Sequence, residues 1–276
     1  MRTLEQTIDR LNTNEGVKQT IRKHLYASDI HEWEDFTRSA MYDLQAHIAR
    51  TLAPNSQKTV MAHIKCLLKR AIDEVELPND YDRILVARGA KPLKTYLTEE
   101  DLEKFAAVRT TTLQREYVKN MFLICAYTGL RVSDARSLTM ENIVGENLHY
   151  VAKKTNKIGA IPLKHGLKER IEWIVAHPEA VISPTGYNKA LRRLCRQAGI
   201  DEEVLVFKGG KELRGPKWKF VSSHTARIST ATCLSKRGVQ IGDICQLLQH
   251  SSVQMTERYI IRDRVELSEA AMKFFA

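Results

Sequence analysis

The sequence predicts a mainly α-helical chain of two domains, with a small antiparallel β-sheet in the second. Three observations predict it. Apolar residues recur at helical spacing through the first 78 residues and again over most of the second half. The period changes to alternation over 141–163, where β-rich residues flank the turn Lys154-Thr155-Asn156-Lys157. Residues 83–97, containing Arg88-Gly89-Ala90-Lys91-Pro92, read as an extended linker between the two blocks. A length of 276 residues suffices for two ordinary domains, here 1–92 and 93–276.

In the first domain, Glu5–Leu11 and Gly16–Tyr26 are short amphipathic stretches, and Trp33–Leu52 is a longer one that Pro54 is expected to stop. Asn55 and Ser56 offer a cap for a helix running to about Glu76. Val60, Ile64, Leu67, Leu68, Ile72 and Val75 form its core face. Lys58, Lys65 and Lys69 share a different face, either a solvated surface or a stripe laid along a phosphate backbone.

The second domain opens at Thr98-Glu99-Glu100-Asp101, a capping-box pattern for a helix over about 99–108. A helix over 112–127 follows, ended by Gly129 in the left-handed conformation. Leu148–Ala152 and Ile158–Leu163 are the strands of the small sheet. Helices resume at 166–177 and 185–197. Val204–Phe207 reads as a strand and Lys208-Gly209-Gly210-Lys211 as a turn, after which Lys211, Arg214, Lys217 and Lys219 cluster around Pro216 and Trp218. Helices at 223–237, 240–248, 252–260 and 264–274 complete the chain. The last is distinctly apolar through Val265, Leu267, Phe274 and Phe275, and packs either on its own domain or on a neighbouring copy.

A composition 43% hydrophobic and 28% charged is that of an ordinary globular chain. No apolar run reaches the length of a membrane span, and Met1–Gln6 lacks the core of a signal peptide, so a cytoplasmic chain with no membrane partner is expected. The five cysteines, Cys66, Cys125, Cys195, Cys233 and Cys245, form no C-x-x-C pair; reduced, buried thiols are expected, with no metal and no cofactor. The net charge of +10 is unevenly placed: residues 1–90 hold 13 Lys+Arg and 13 Asp+Glu, and residues 91–276 hold 30 and 20. The basic excess lies in the second half and points to a polyanionic partner.

That half also carries an ordered polar set: Arg131, Lys154, His224, Arg227, His250 and Tyr259. A phosphodiester resists nucleophiles because its anionic oxygens repel them, so neutralising those oxygens is the main catalytic task. Arginine, planar and permanently charged, suits it. Arg227 follows His224 by three residues, which puts both on one helical face. A lysine at the β-turn can protonate a leaving oxygen, and Lys154 competes with Lys153 and Lys157 for that role. Tyr259 can attack phosphorus and form a covalent phosphotyrosine.

The strings around these residues resemble the tyrosine recombinase (phage integrase) family. Thr128-Gly129-Leu130-Arg131-Val132-Ser133-Asp134-Ala135 is similar to a first family box, TGLRxSEL. His224-Thr225-Ala226-Arg227-Ile228-Ser229-Thr230-Ala231-Thr232, Leu248-Gln249-His250-Ser251-Ser252 and Thr256-Glu257-Arg258-Tyr259 are similar to the later ones. The likeness covers about 98–262, and Glu212–Lys219 resembles integrases of Bacteroides-type mobile elements.

The resemblance implies an integrase-like catalytic core and a helical, SAM-like core-binding domain, closed as a C-shaped clamp on duplex DNA. Arg131, Arg227, His224 and His250 would bind the scissile phosphate, Lys154 would protonate the leaving 5′ oxygen, and Tyr259 would form a 3′-phosphotyrosine. Lys58, Lys65, Lys69, Lys157, Arg214, Lys217 and Lys219 would contact DNA. A homo-oligomer on DNA is implied, a tetramer in synapsis, with the C-terminal helix exchanged and DNA-bending accessory factors as further partners. The chain starts directly at the helical block, which is expected of a compact mobile-element integrase, a Xer-type resolvase, or a shortened form of a longer chain. A type IB topoisomerase-like enzyme and a non-catalytic site-binding protein are the other readings. Gln249 stands where the family has glycine and is expected to shift His250. Asp134 stands for glutamate and is expected to buttress Arg131.

Overall fold

The computed structural model describes residues 2–153, 156–164, 166–262 and 272. Lys154 lies outside them, as does the predicted helix 264–274 except for Met272. The chain divides into two compact units, residues 1–93 with 207–212, and residues 94–206 with 213–276.

The first unit is helical: α1 (Leu4–Asp9), α2 (Glu15–Tyr26), α3 (Arg38–Thr51), α4 (Pro54–Ala71) and the short α5 (Tyr81–Ile84). Ile8, Ile21, Leu25, Met41, Leu44, Ile48, Ile64 and Leu67 are wholly buried at its centre. The predicted stretch Trp33–Leu52 is divided. Trp33–Asp35 forms a 3-10 turn, and Thr37 then caps α3, its side chain accepting from the Ala40 amide. Pro54 opens α4 with Ala53 as the capping position, because the first helical turn needs no amide donor and favours the φ of proline. The predicted cap at Asn55 is therefore displaced by two residues. Ile72, expected in the core face, follows the end of α4 and is exposed.

The second unit is built around α7 (Leu113–Thr128), which is buried on almost every side through Tyr117, Val118, Met121, Phe122, Ile124 and Cys125. A helix apolar all round belongs at a core. Around it stand α6 (Glu99–Ala106), α8 (Val132–Ala135), α9 (Leu167–Ala176), α10 (Pro184–Gln197) and α11 (Thr225–Lys236). The polar C-terminal layer is α12 (Ile241–Leu247) and α13 (Val253–Glu257). β1 (Ile143–Val144), β2 (Asn147–Val151) and β3 (Ile158–Pro162) form an antiparallel sheet in chain order, with Leu148 opposite Ile161 and Tyr150 opposite Gly159. Leu148, Tyr150 and Ile161 turn inward while their neighbours face solvent, as alternation requires. β4 (Glu203–Lys208) pairs with β5 (Lys211–Pro216), a strand that the charged string there does not announce.

Candidate active site

Three helix ends build the site. α7 ends at Thr128, and Gly129 takes the left-handed conformation at φ 71°. A Cβ on Gly129 would come within 2.5 Å of the Leu248 side chain, so both the backbone and the packing require glycine. The reversal leads into Arg131, which occupies the capping position of α8. Asp134, one turn on and buried, holds the Arg131 guanidinium at 3.7 Å and also accepts from the Lys153 amide at 3.4 Å. The shorter carboxylate thus still reaches its arginine.

α11 supplies the second side. His224 precedes its first turn and Arg227 follows one turn later. Arg227 is buried and donates to the carbonyl oxygens of Gly129 and Leu248, which ties α11 to the ends of α7 and α12. Its Nε has no hydrogen-bond partner among the described residues. Thr230, on the same helix, donates to the Ala126 carbonyl at 2.7 Å and secures the α7–α11 contact.

The third side is the turn between α12 and α13. Gln249 holds it with a left-handed backbone at φ 50°. The glycine-like turn is therefore kept, at the expense of a non-glycine residue in a conformation that L side chains disfavour. His250 follows, buried, with Nδ1 2.9 Å from Thr256 Oγ1 and Nε2 unpartnered among the described residues. Ser252 caps α13 through the Met255 amide. Tyr259 lies just past the helix, its carbonyl accepting from Thr232 Oγ1 at 3.2 Å, while the same hydroxyl accepts from the Ile261 amide at 3.1 Å.

These elements bring five of the six predicted residues together. The Tyr259 ring centroid lies 4.6 Å from that of His250 and 5.1 Å from that of His224, and the Arg227 guanidinium carbon is 5.9 Å from it. Arg131 and Arg227 interact electrostatically with each other and with both histidines. Burial, then Arg131, pushes the Arg227 guanidinium down to about 10, so it stays charged at neutral pH. Burial, then Arg227, Arg131 and His224, pushes His250 down to about 4. Crowding around the His224 ring, then Lys94, Arg227 and Arg131, lowers it to about 4, although that residue keeps an exposed side. Both imidazoles are therefore neutral near pH 7, able to accept or donate one hydrogen bond at each end. Two charged guanidiniums, two neutral imidazoles and a phenol are groups able to hold an anion, move a proton and attack as a nucleophile.

The family described as "Phage integrase family" matches residues 95–264, well over half of the chain, including Arg131, His224, Arg227, His250 and Tyr259. The chain belongs to the phage integrase family. Among curated relatives of this chain is tyrosine recombinase XerC of Caldanaerobacter subterraneus subsp. tengcongensis, 29% identical over 184 residues, 64% of this chain and 50% of the relative. Another is tyrosine recombinase XerA of Pyrococcus horikoshii, 26% identical over 199 residues, 71% of this chain and 67% of the relative. The match thus spans half of the first relative's length. The fold resembles the Tn1549 transposon integrase bound to transposon right end DNA, with TM-score 0.70, 14% identity and 99% of both chains covered. It also resembles a lambda integrase dimer bound to a COC' core site, with TM-score 0.68, 17% identity and 94% of both chains covered.

The basic residues singled out along the chain divide into two groups. Lys58, Lys69, Lys157, Arg214 and Lys219 are exposed. Lys219 lies 5.7 Å from the Trp218 ring centroid. Lys217 is different: it is buried, 2.9 Å from Asp101 and 2.5 Å from Glu202, and serves as a structural ion pair, so it is not placed to meet DNA. Lys65 bends to the Asp82 carbonyl at 2.6 Å and its carboxylate at 3.4 Å, which withdraws it from the stripe of Lys58 and Lys69. Of the cysteines, Cys125 and Cys195 are buried while Cys66 is exposed on α4, contrary to expectation. Among the described residues no group of His, Cys, Asp and Glu could hold a metal ion, and no helix is long and apolar enough to cross a membrane.

Sequence reasoning missed three members of the site. Thr256 and Thr232 lie inside quoted strings but carry no chemistry of their own; their place is visible only through His250 and the Tyr259 backbone. Lys94, within the predicted linker, stands with its Nζ 5.4 Å from the Tyr259 ring centroid.

Proposed function

We propose that this chain is a site-specific recombinase that cuts and rejoins duplex DNA through a 3′-phosphotyrosine. The observation that carries the reading is the convergence of Arg131, Arg227, His224 and His250 on Tyr259. The arginines hold the non-bridging oxygens of the scissile phosphate and neutralise the charge that builds on them. Asp134 fixes Arg131, and the carbonyls of Gly129 and Leu248 fix Arg227. The Tyr259 oxygen attacks phosphorus and the bond to the 5′ oxygen breaks. Lys154 gives that oxygen its proton, and the phenol proton passes to a neutral imidazole, for which His224 and His250 are the two candidates. Rejoining is the same step reversed by a different 5′ hydroxyl.

Duplex DNA is the partner, approached in a cytoplasmic setting by Lys58, Lys69, Lys157, Arg214 and Lys219, mostly through phosphates. We assign the biological role to integration and excision of a mobile element, on the likeness of Glu212–Lys219 to integrases of Bacteroides-type elements. The Xer relatives favour a resolvase as the second reading. Copies assemble on DNA as a synaptic tetramer, with the apolar tail 264–276 docking on a neighbour.

A nicked suicide duplex carrying a site recovered from a randomised pool tests the reading. Wild type is expected to trap a covalent adduct at a 3′ end. Tyr259→Phe is expected to bind the duplex and trap none. An adduct that survives in Tyr259→Phe rejects Tyr259 as the nucleophile.

A further inference from the structure

The segment Lys94–Leu97 is fixed to α11. The Leu97 amide donates to Ser229 Oγ at 2.8 Å in a buried hydrogen bond, and the Cys233 thiol donates to the Leu97 carbonyl at 3.6 Å. Lys236 Nζ lies 5.7 Å from the Tyr96 ring centroid, and Thr95 and Leu97 are buried. The same helix holds the Tyr259 backbone through Thr232. One helix therefore sets both Lys94 and Tyr259, and the outcome is an ammonium 5.4 Å from the Tyr259 ring centroid, within cation–π range.

Lys94 is half-buried, and no carboxylate pairs with it among the described residues. Facing it are Tyr259 and His224, with Arg227 and Arg131 beyond them. A cation without a counter-ion, in a corner that already holds two arginines, is favourable only where negative charge forms or arrives. Burial pulls the Lys94 ammonium below the ordinary lysine value, and its charge is one of those that hold His224 down.

We propose that Lys94 is a positioning residue for the nucleophile: its ammonium holds the Tyr259 ring and offsets the negative charge that gathers on the phenol oxygen during attack. The inference rests on the reading of Tyr259 as nucleophile. Lys94 neither gives up a proton nor forms a bond in the step. The Tyr259 oxygen–phosphorus bond forms, the phosphorus–5′ oxygen bond breaks, the phenol proton goes to a neutral imidazole, and Lys154 protonates the leaving oxygen.

Sulfur separates the two lysines. A 5′-bridging phosphorothiolate leaves as a thiolate that needs no proton, so loss of a proton donor is rescued and loss of a charge beside Tyr259 is not. The experiment measures single-turnover adduct formation by the full chain on the nicked duplex described above, in phosphodiester and phosphorothiolate forms, across neutral to alkaline pH. Lys94→Met is expected to slow adduct formation by about 10-fold on both substrates, with duplex binding unchanged. Lys94→Arg is expected to stay within about 3-fold of wild type and, on the phosphorothiolate, to lose the alkaline fall in rate that Lys94 deprotonation gives the wild type. Lys154→Ala is expected to be slow only on the phosphodiester.

Wild-type rates for Lys94→Met on both substrates would overturn the proposal. So would rescue by sulfur, which would make Lys94 the proton donor, or a defect confined to binding. An adduct in Tyr259→Phe would instead overturn the nucleophile assignment, and the two failures are thereby distinct. Should Lys94→Met misfold, Lys94→Gln and the His224 ring titration followed by NMR decide. Removing the Lys94 charge is expected to raise His224 above about 4, and an unmoved titration would overturn the placement.

Discussion

Thr256 Oγ1 lies 2.9 Å from Nδ1 of His250, and both side chains are buried. The hydroxyl holds the imidazole plane, and Nε2 is left without a hydrogen-bond partner among the described residues, in a ring whose centroid is 4.6 Å from that of Tyr259. Thr256→Val keeps the shape and removes the partner. Cleavage is expected to fall by about 10-fold while duplex binding holds, and Thr256→Ser is expected to restore the rate. Single-turnover cleavage with a parallel binding titration checks it; equal rates for Thr256→Val and wild type would contradict it.

Gln249 combines two unfavourable features, a left-handed backbone at φ 50° and a buried carboxamide with neither end partnered among the described residues. Gln249→Gly removes both, offset by the packing lost with the side chain. The variant is expected to be more stable by about 1 kcal/mol, read as a higher urea midpoint. A lower midpoint would mean that the carboxamide stabilises the turn.

Lys217 and Lys219 sit two residues apart in a basic string yet belong to different physics. Lys217 is buried between Asp101 and Glu202, while Lys219 is exposed over Trp218. Lys217→Met strands the Asp101 carboxylate and is expected to destabilise the fold by about 2 kcal/mol, less than a fully enclosed pair because Glu202 remains exposed. Its salt dependence of DNA binding is expected to match wild type. Lys219→Ala is expected to leave stability unchanged and flatten the salt dependence. The reverse pattern would restore Lys217 to the DNA-contacting set.

Acid is expected to weaken the fold through His250. Its pKa is held at about 4 in the folded protein, against an ordinary 6.5. Between those values the unfolded chain binds a proton that the folded one does not, so stability is expected to fall as pH drops from about 6.5 toward 4. His224 shares the sign, but its exposed side lets solvent screen the effect. Urea denaturation of wild type and His250→Gln across this window checks the point. An equal acid slope in the variant would assign the loss to other groups.

What the sequence made legible follows from where its signals are local. The helices around α7 and the strands β2 and β3 were readable because apolar spacing reports the buried face directly. The grouping of Arg131, Arg227, His224, His250 and Tyr259 was readable because they sit in strings whose order survives folding. Pro54 misled because proline breaks a helix from inside and begins one from its first turn, and only the neighbouring backbone decides which. Strand β5 was hidden because Lys211-Glu212-Leu213-Arg214-Gly215-Pro216 owes its form to pairing with β4 and has no β-rich pattern of its own. Lys217 and Lys94 were misplaced for one reason: a lysine's role depends on what stands opposite it, a carboxylate pair in one case and a phenol ring in the other.

The most direct measurement is the identity of the residue joined to DNA. The full chain is trapped on the nicked suicide duplex and the adduct is digested with protease and nuclease. The nucleotide-bearing peptide is then sequenced by mass spectrometry. The expected result is a 3′-phosphate on Tyr259. A nucleotide on any other side chain, or cleavage that leaves no covalent peptide, would contradict it.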